Sequence, residues 1–546
     1  MGAVYLFHDL YGYLMEMSPD IADLIQAFDG GAATEKVIAD FAGHFEGAAP
    51  EMIQTLMAHA VFLEPSEDEV EGMWAFVPIK GKWNVWQRRG DRLTLWTAWG
   101  ERPVQQLFLD PEETKIWDAF DGTKRLVELR HHHDNAKLIG LARKLVHSDV
   151  QAVKMSLMPW GAYAARPAMA PPYLSSTMPY PAWAPGLPVP AAVNLTSYHQ
   201  HDIALADQQF DHTETTLSHL LRVPHPALAG RTYGETLVDV LVARGAIPEG
   251  HVRVLEIGAG LGYVARDVLA RLRAAGRTVA YTICELAPAL EAAQRLRLGT
   301  LSGGADDMTH HVTWVSGDVL TAKLPAASFD LILSNEMVGD LPARKLSRPD
   351  LGLDLDGTGT VDRAKLRALD TAGANLAADL NVVLDDAPEP FYLQDGAIEL
   401  VGKIADWLAP GGTALVSEFG DIAAWPKLST HLDHPELSTH FGILVQVARA
   451  LKLDAKMEFV IDLIDVDRDQ RGLATTRSHF RALRALATDA GVDLPKIGYT
   501  PALLEQAAAG KLDLAHVGDL RYDRFEDRLM GLVPHEFKVL VARKPS

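Results

Sequence analysis

The sequence predicts an α/β protein in which two small winged-helix-like α+β modules precede a larger domain built on a mainly parallel sheet. Three observations predict this architecture: an internal repeat near the start, a proline-rich stretch after it, and a glycine loop between a buried strand and a helix. The chain has 546 residues, about three to four times the usual length of one domain. Several domains are therefore expected.

Composition and charge exclude some classes of protein. Hydrophobic residues make up 48% and charged residues 23%, which is a globular mixture and not that of a collagenous, coiled-coil or disordered chain. The net charge of −21 argues against nucleic-acid partners and anionic membranes, and favours neutral or cationic partners. The single cysteine, Cys284, allows neither an internal disulfide nor a cysteine-rich metal site, which fits a reducing compartment.

Membrane and export signals are not evident in the sequence. The chain shows no apolar run of the roughly 20 residues that a transmembrane helix needs, and no basic and then apolar segment follows Met1. We therefore expect a soluble, cytoplasmic protein without a membrane partner.

The internal repeat predicts the two N-terminal modules. Residues 17–30 align without a gap on residues 109–122, at an offset of 92 residues. Each copy opens with a Ser or Asp suited to a helix N-cap, then a proline, and closes at a glycine suited to a helix end, so each predicts one short helix. Strand-like stretches precede the two copies, at 4–17 and 93–109. Helical patterns follow them, at 34–44 and 126–145. We assign residues 1–70 to module 1 and residues 71–157 to module 2.

This order of elements resembles the PqqD-type peptide-binding domain of peptide-maturation enzymes. The resemblance lies in the strand hairpin, the cap-proline helix ending in Phe-Asp-Gly, and helices closing on an apolar stretch such as Ala60–Leu63. It implies that the modules capture the leader of a precursor peptide as an added β-strand. The alternative is that the modules are winged-helix domains that only pack or form a homodimer.

The charge of module 1 bears on its partner. Residues 1–70 carry 13 acidic side chains against the single base Lys36, whereas residues 71–150 carry 11 acidic and 13 basic side chains. A DNA-binding winged helix needs a basic surface, so nucleic acid is disfavoured as a partner. The excess of acid predicts that the partner has a basic segment.

A linker is predicted between the modules and the larger domain. Nine prolines fall between Pro159 and Pro190, a density that forbids a continuous helix or a central strand. Aromatic residues interleave with the prolines, which suggests a linker lying on a domain surface; they are Trp160, Tyr163, Tyr173, Tyr180 and Trp183. We place this linker at residues 158–194.

The strongest signal is a strand, glycine loop and helix. The apolar run 252–257 ends at Glu256 and Ile257, and Gly258, Gly260 and Gly262 follow before a helical pattern at 264–272. Glycines there let the backbone approach a ligand. The dinucleotide fingerprint needs Gly or Ala at the position of Tyr263 and gives the acid before the loop no role. The pattern instead resembles motif I of class I S-adenosylmethionine-dependent methyltransferases.

Later landmarks appear in the order of that family. The strand 280–284 ends in Glu285, whose carboxylate could accept both ribose hydroxyls, and Asp318 with Val319 matches the loop near the adenine. Strands at 329–334 and 413–419 follow, and 537–542 suits the last, antiparallel strand. The resemblance implies a seven-stranded Rossmann-like methyltransferase domain at residues 195–546, with S-adenosylmethionine as cofactor and an insertion at about 343–390. The alternatives are a dinucleotide enzyme and a fold that serves only as a binding scaffold.

A subfamily resemblance bears on the substrate. Residues 335–342 are similar to the N-E-x-x-D-A-L-P signature of MidA-type enzymes, the group of the complex I assembly arginine methyltransferase, and residues 436–440 and 535–540 agree with that group. The family's Asp falls on Gly339, with Asp340 one place later. The resemblance implies a protein substrate.

Four residues are candidates for the chemistry. Glu336 is the leading candidate to orient the acceptor, because a guanidinium can pair with a carboxylate through two N–H groups. Asn335 could hold the acceptor or the methionyl part of the cofactor. Asp340 is either a second acidic contact or a helix N-terminal charge, and His440 is either a base or a structural histidine.

No metal site is predicted. Adjacent histidines such as His131–His133 do not share a face of a helix, and His431, His434 and His440 lack a regular ligand spacing. Residues 354–359 lack the third spaced carboxylate and the closing glutamate of a calcium loop, and they predict a hairpin turn.

The function predicted from the sequence is methylation of a peptide or protein by S-adenosylmethionine. The substrate is a ribosomal precursor peptide captured by the N-terminal modules. The alternative is a MidA-like protein arginine methyltransferase or assembly factor whose N-terminal modules only dock or dimerise.

Overall fold

The computed structural model describes most of the chain. The described residues are 4–8, 13–28, 33–45, 47–58, 73–99, 102–147, 149–156, 159, 189–203, 206–299, 310–431 and 434–546. The predictions that concern Gly30, Ala60–Leu63 and the linker between 160 and 188 lie outside these residues. No helix in the described part of the chain has the length and apolar composition that crossing a membrane requires.

Strands and α-helices are numbered in chain order. The strands are β1 (Val4–His8), β2 (Tyr13–Met17), β3 (Val77–Lys80), β4 (Asn84–Arg89), β5 (Arg92–Thr97), β6 (Gln105–Leu109), β7 (Val153–Ser156), β8 (Ala192–Val193), β9 (His251–Ile257), β10 (Thr278–Glu285), β11 (His310–Ser316), β12 (Phe329–Asn335), β13 (Ala343–Leu346), β14 (Phe391–Leu393), β15 (Leu408–Asp421), β16 (Leu428–His431), β17 (His434–Leu437), β18 (Thr439–His440), β19 (Asp454–Phe459), β20 (Arg471–Leu473), β21 (Val517–Gly518), β22 (Tyr522–Arg524) and β23 (Phe537–Arg543).

The α-helices follow the same numbering rule. They are α1 (Pro19–Gln26), α2 (Thr34–Asp40), α3 (Ala49–Ala58), α4 (Pro111–Ala119), α5 (Leu126–Leu129), α6 (Asn135–Val146), α7 (Thr196–His201), α8 (Ala206–Thr213), α9 (Leu217–Leu220), α10 (Tyr233–Ala243), α11 (Tyr263–Ala274), α12 (Pro288–Leu298), α13 (Arg363–Arg367), α14 (Ala372–Asp379), α15 (Asp395–Trp407), α16 (Phe441–Ala450), α17 (Val460–Leu463), α18 (Arg477–Asp489) and α19 (Pro501–Ala508).

The chain divides into two compact units. Unit 1 contains residues 1–187, 475–494 and 505–521, and unit 2 contains residues 188–474, 495–504 and 522–546. The sequence prediction gave all of 195–546 to one domain, but two of its segments group with the N-terminal residues. The physical reason is packing: α18 lies on β4 and β5, and β21 pairs with β4 through Val517 and Gly518.

The two repeat copies of unit 1 form the predicted elements but differ in how their helices start. β1 and β2 form an antiparallel hairpin before α1, and β5 and β6 form one before α4. Asp110 caps α4 by accepting from the N–H groups of Glu112 and Glu113. Ser18 precedes α1 without a side-chain cap hydrogen bond. In the second copy, Ile116 and Trp117 are fully buried in the core of unit 1.

The sheet of unit 2 carries the site. Its strand order is β11-β10-β9-β12-β15-β23-β19, with the two-residue β18 paired to the end of β15. The first five strands are parallel to one another, and β23 runs antiparallel between β15 and β19. Because β18 joins this sheet, it holds eight strands where the sequence predicted seven. The central strands are buried on both faces, as their Val, Ile and Leu content predicts.

The predicted insertion folds against unit 2. Residues 343–390 contain β13, α13 and α14, and their apolar side chains join the main core of the unit. Buried Arg348 organises the loop, since its guanidinium donates to the backbone carbonyls of Asp354, Thr358, Asp385 and Ala387. Residues 354–359 form a turn in which Asp356 accepts from the N–H and hydroxyl of Thr358.

Candidate cofactor and acceptor site

A cleft opens at the carboxyl ends of the parallel strands β9, β10, β11 and β12, where ligands bind in open α/β sheets. It consists of two adjoining cavities of about 990 and 570 Å³. Six residues line both cavities: Phe210, Glu214, Thr216, Gly258, Gly260 and Glu336. The larger cavity extends to the ends of β10 and β11, and the smaller one to the start of α11.

The glycine loop forms the floor between the two cavities. Gly258, Gly260 and Gly262 have φ angles of +66°, +51° and +80°, which side chains rarely adopt. A Cβ on Gly258 would lie 2.8 Å from Cγ of Met337, and one on Gly262 would lie 3.2 Å from Cγ of Gln294. A Cβ on Gly260 would meet no protein atom within 4 Å. The loop therefore presents bare backbone to a ligand.

Glu285 ends β10 on the wall of the larger cavity. Its Oε1 accepts from the N–H of Ala287 at 2.9 Å, and its Oε2 accepts from Nε2 of Gln294 at 2.7 Å. Gln294 also donates to the carbonyl of Gly260 at 2.8 Å, so it ties the carboxylate to the glycine loop. Burial raises the pKa of Glu285, and these donors oppose that shift by favouring the charged form. The carboxylate has a fixed direction.

Glu256 lies beneath the smaller cavity at the end of β9. It is buried, and the hydroxyl of Tyr281 donates to its Oε2 at 2.5 Å. Burial raises the pKa of Glu256 to about 7, the Tyr281 hydrogen bond opposes this shift, and the charge of Glu285 adds to it. Tyr281 thus holds the carboxylate of Glu256, which lines the smaller cavity.

Asp318 and Val319 border the larger cavity after β11. Oδ1 of Asp318 accepts from the N–H of Leu320 at 2.8 Å, which fixes the turn. Val319 is buried and supplies an apolar wall beside the carboxylate. An edge that combines a hydrogen-bond acceptor with an apolar surface suits a flat, amine-bearing ring.

Asn335, at the end of β12, is held by three side chains. Its Oδ1 accepts from the hydroxyl of Tyr233 at 3.0 Å and from the hydroxyl of Ser417 at 2.8 Å. Its Nδ2 donates to the hydroxyl of Ser218 at 2.8 Å. Both acceptor positions of the amide oxygen are therefore filled, and the arrangement favours a positioning role over direct contact of that oxygen with a substrate.

Glu336 follows Asn335 and lines both cavities. Its φ of 55° places a non-glycine residue in the left-handed region, held by a hydrogen bond from its N–H to the carbonyl of Ser417 at 2.8 Å. Its Oε1 contacts the N–H and hydroxyl of Ser218 at 3.5 and 3.4 Å. Its Oε2 is buried and has no hydrogen-bond partner. Burial, reinforced by the charges of Glu214 and Glu418, raises the pKa of Glu336 well above its usual range.

Asp340 lies on the wall of the larger cavity and pairs with His199. Oδ2 of Asp340 is 2.9 Å from Nε2 of His199, and its Oδ1 is buried without a hydrogen-bond partner. Burial opposes the charge of His199, but the hydrogen bond and charge of Asp340 outweigh it and raise the pKa of the imidazole. Asp340 ends a short 3-10 turn, Val338–Asp340, so it is an acidic wall residue and not a charge at the start of an α-helix.

Gly339, which aligns with the Asp of the MidA signature, leaves no room for a side chain. A Cβ on Gly339 would lie 2.8 Å from the carbonyl oxygen of Leu437, so an aspartate does not fit there. The N–H of Gly339 donates to Oε2 of Glu418 at 3.0 Å. The carboxylate one place later, on Asp340, reaches the cleft.

His440 lies apart from this constellation. It lines a separate cavity of about 220 Å³, and its Nδ1 accepts from the N–H of Ile443 at 3.4 Å as the N-cap of α16. Burial lowers its pKa. The structure therefore favours the structural alternative for His440. Among the described residues, no group of three or more His, Cys, Asp or Glu side chains is arranged to hold a metal ion.

Several site residues were missed by the sequence analysis. They are His199, Phe210, Glu214, Ser218, Tyr233 and Gln294. Glu214 lies in a loop, Ser218 lies on a four-residue helix, and Tyr233 begins α10. All three precede the glycine loop and reach the site through contacts that span about a hundred residues, as the 2.8 Å Asn335–Ser218 bond illustrates. A polar residue on a four-residue helix such as α9 carries no periodic signal that would single it out.

The residues present fit S-adenosylmethionine. The left-handed glycine loop leaves open space at Gly260, and Glu285 presents a fixed carboxylate at the end of the second strand, as an adenosine ribose requires. Asp318 and Val319 would lie near the adenine, and the smaller cavity along the loop would take the methionyl part.

The comparison with protein families agrees with this assignment. Residues 234–425 match a protein family described as "Putative S-adenosyl-L-methionine-dependent methyltransferase". This match includes the glycine loop, Glu285, Asp318 and Glu336. No curated protein matches the chain.

Solved structures give weaker likenesses. One is a COG1565 superfamily member and likely methyl transferase from Burkholderia thailandensis bound to S-adenosyl-homocysteine, with 16% identity, a TM-score of 0.34, and coverage of 65% of this chain and 88% of that one. A second structure from the COG1565 superfamily of Burkholderia thailandensis has 16% identity, a TM-score of 0.33 and the same coverages. An S-adenosylmethionine-dependent methyltransferase from Mesorhizobium loti has 13% identity, a TM-score of 0.26, and coverage of 56% of this chain and 98% of that one.

The family match and the cleft lead to one assignment. The matched residues contain the loop and the carboxylates that fit the cofactor, at the edge of the sheet where such ligands bind. The protein is an S-adenosylmethionine-dependent methyltransferase, and S-adenosylmethionine is its cofactor.

Proposed function

We propose that the enzyme transfers the methyl group to a cationic nitrogen side chain of a polypeptide, and that this polypeptide is a precursor peptide captured by unit 1. The observation that carries the proposal is the unpartnered, buried Oε2 of Glu336 in a cleft lined by further carboxylates. A guanidinium brings two N–H donors to such a carboxylate.

The charge around Glu336 supports a cationic acceptor. Glu214, Glu336, Asp340 and Glu436 line the cleft together with Glu285 and Asp318, and its lining within the described residues contains neither Lys nor Arg. Glu418 adds charge behind Glu336. Carboxylates that repel one another in a partly desolvated cavity gain most from a cation placed between them.

The chemistry divides between cofactor and protein. When bound, S-adenosylmethionine supplies an electrophilic methyl group on a sulfonium, which leaves with the sulfur taking the electron pair. Glu285 and the glycine loop would fix the cofactor. Oε2 of Glu336 would accept a hydrogen bond from the cationic acceptor nitrogen and then take its proton, so that the nitrogen lone pair can form the new bond to the methyl carbon as the carbon–sulfur bond breaks. Such alignment is the main contribution a protein makes to a displacement of this kind.

Polypeptide capture is supported by an open sheet edge in unit 1. The sheet has the order β21-β4-β5-β6, so the edge beside β4 is occupied by β21, whereas β6 has no neighbouring strand on its outer side among the described residues. Phe108 on β6 is 69% exposed. An extended peptide can add to such an edge, and the acidic module 1 would attract its basic residues.

The second candidate function is a MidA-like protein arginine methyltransferase in which unit 1 only docks or dimerises. It is favoured by the packing of the C-terminal segments 475–494 and 505–521 into unit 1. In unit 1, Asp489 accepts from the side chains of Trp96 and Gln106, which ties α18 to the sheet. A module bound so closely into the chain can have a purely structural role.

The test uses substitutions of exposed residues, because deletion of residues 1–157 would remove strands β4 and β5, on which α18 packs. Peptides encoded by the reading frames beside the gene are incubated with the full chain and tritiated S-adenosylmethionine. We expect one of them to be methylated, and Phe108→Ser to raise its KM about fivefold while a short peptide that contains only the acceptor site is unaffected.

The matched control is Leu296→Ser, which removes another exposed apolar side chain, in unit 2. It should leave both KM values unchanged. If Phe108→Ser has no effect on the long peptide, unit 1 does not capture substrate through β6. If no peptide is methylated and a folded protein with an accessible arginine is, the second candidate function is correct.

A further inference from the structure

Ser218 links the two residues that the cleft presents at the end of β12. It lies on α9, is buried, and lines the smaller cavity. Its hydroxyl accepts from Nδ2 of Asn335 at 2.8 Å, so the hydroxyl proton is free to be donated to Oε1 of Glu336 at 3.4 Å. Its N–H contacts the same oxygen at 3.5 Å. One residue thus contacts both Asn335 and Glu336.

These contacts favour one orientation of the carboxylate. With Oε1 directed to Ser218, Oε2 is left as the oxygen without a hydrogen-bond partner. The backbone of Glu336 is in the left-handed region and is tied to β15 through the carbonyl of Ser417. Within the described part of the chain, the carboxylate accepts no hydrogen bond besides those from Ser218. The direction of Oε2 therefore depends on Ser218.

The charge state of Glu336 depends on Ser218 as well. Glu214 and Glu418 face the carboxylate with like charge, and the hydroxyl of Tyr233, a residue of α10, is the other titratable group beside it. Burial and the two glutamates favour the protonated form, and the two donors of Ser218 favour the carboxylate.

We propose that Ser218 is a positioning residue for methyl transfer: it holds Oε1 of Glu336 and leaves Oε2 for the acceptor nitrogen. This inference rests on the proposed role of Glu336. Ser218 lines the smaller cavity, but its hydroxyl is engaged by Asn335 and Glu336, so in this account it acts through the carboxylate.

The test variant is Ser218→Ala, which removes the hydroxyl and retains the N–H. The control is Tyr233→Phe, which removes a hydrogen bond to Asn335 and leaves the contacts of Glu336 in place. If the network had a purely structural role, Ser218→Ala and Tyr233→Phe would have the same effect on the ionisation of Glu336. Ser218→Thr restores a hydroxyl and should rescue the first variant.

The readout is the ionisation of Glu336 in the full chain. Infrared difference spectra between each protein and its Glu336→Gln counterpart isolate the carboxyl band as pH is changed. We expect Ser218→Ala to shift this titration to higher pH, and Tyr233→Phe and Ser218→Thr to leave it near the wild-type position. An unchanged titration in Ser218→Ala overturns the proposal, as does an equal shift in Tyr233→Phe.

The kinetic readout separates this proposal from the proposed function. With a methyl-accepting peptide, Ser218→Ala should lower kcat about tenfold at neutral pH, within the range expected for a hydrogen bond to a charged group, and leave the KM of S-adenosylmethionine unchanged. If Glu336→Gln is fully active, the proposed role of Glu336 is wrong, whatever the titration shows. If Glu336→Gln is inactive and Ser218→Ala is unimpaired, only the proposal for Ser218 fails.

Discussion

Two carboxylates of one cleft, Glu285 at the end of β10 and Glu336 just after β12, differ in how they are held, and the difference suits one to the cofactor and the other to the acceptor. Glu285, at the end of β10, has both oxygens engaged, by Ala287 and by Gln294. Glu336, just after β12, has one oxygen contacted by Ser218 and the other unpartnered, on a left-handed backbone. A fixed carboxylate suits a constant ligand such as the cofactor. A carboxylate with a free oxygen suits a group that arrives, reacts and leaves.

The largest expected effect is on cofactor binding at the Glu285 end. Glu285→Ala removes both acceptors for the ribose hydroxyls and leaves Nε2 of Gln294 without that partner, so we expect the Kd of S-adenosylmethionine to rise about a hundredfold or more, as loss of a charged hydrogen-bond pair predicts. Calorimetric titration measures this. Retention of wild-type affinity would show that the adenosine lies elsewhere.

The second-largest expected effect separates the acceptor end of the cleft, at Glu336, from the cofactor end, at Glu285. Glu336→Gln keeps the shape of the side chain and removes its charge, so S-adenosylmethionine should bind with unchanged affinity while kcat falls about a hundredfold, the usual loss when a preorganised charge at the reacting group is removed. Single-turnover transfer from tritiated cofactor measures the chemical step. A parallel rise in the Kd of the cofactor would mean that Glu336 belongs to the cofactor site.

The smallest expected effect concerns Glu256, whose pKa is raised further by the charge of Glu285. Burial raises the pKa of Glu256 to about 7, from an ordinary value of 4.5, so the folded protein binds this proton more tightly than the unfolded chain. Its contribution to stability therefore falls as pH rises from about 4.5 through 7. Glu256→Gln should remove that fall and raise the Tm relative to wild type at pH 8, by an amount equivalent to about 3 kcal/mol.

Scanning calorimetry at several pH values tests whether Glu256→Gln has the higher Tm at high pH. At pH 5, where both proteins carry a neutral side chain in the folded state, the difference in Tm should be small. If the variant is instead less stable at pH 8, the carboxylate of Glu256 is stabilised by the fold and the assignment of its raised pKa is wrong.

The comparison also explains how much could be predicted from the sequence. The carboxyl ends of parallel strands meet at one edge of the sheet, so short apolar runs followed by Gly258, Glu285, Asp318 or Glu336 are enough to predict that these residues share a cleft. Strand hydrophobicity and glycine spacing are local signals, and these four residues line the larger cavity, while their roles stay predictions.

Contacts between distant segments could not be predicted in this way. Ser218 and Tyr233 reach Asn335 across more than a hundred residues, and β21 pairs with β4 across more than four hundred. No local periodicity encodes such pairings. From the sequence, His440 is either a base or a structural histidine. In the structure its Nδ1 caps α16, an outcome that depends on where the helix begins.

The most direct test of the account is one calorimetric experiment on two variants, Glu285→Ala and Glu336→Gln, titrated side by side with S-adenosylmethionine. The account predicts that binding is lost in Glu285→Ala and retained at wild-type affinity in Glu336→Gln, which should then fail to transfer the methyl group. Retained binding in Glu285→Ala, or lost binding in Glu336→Gln alone, would contradict the division of the cleft into a cofactor end and an acceptor end.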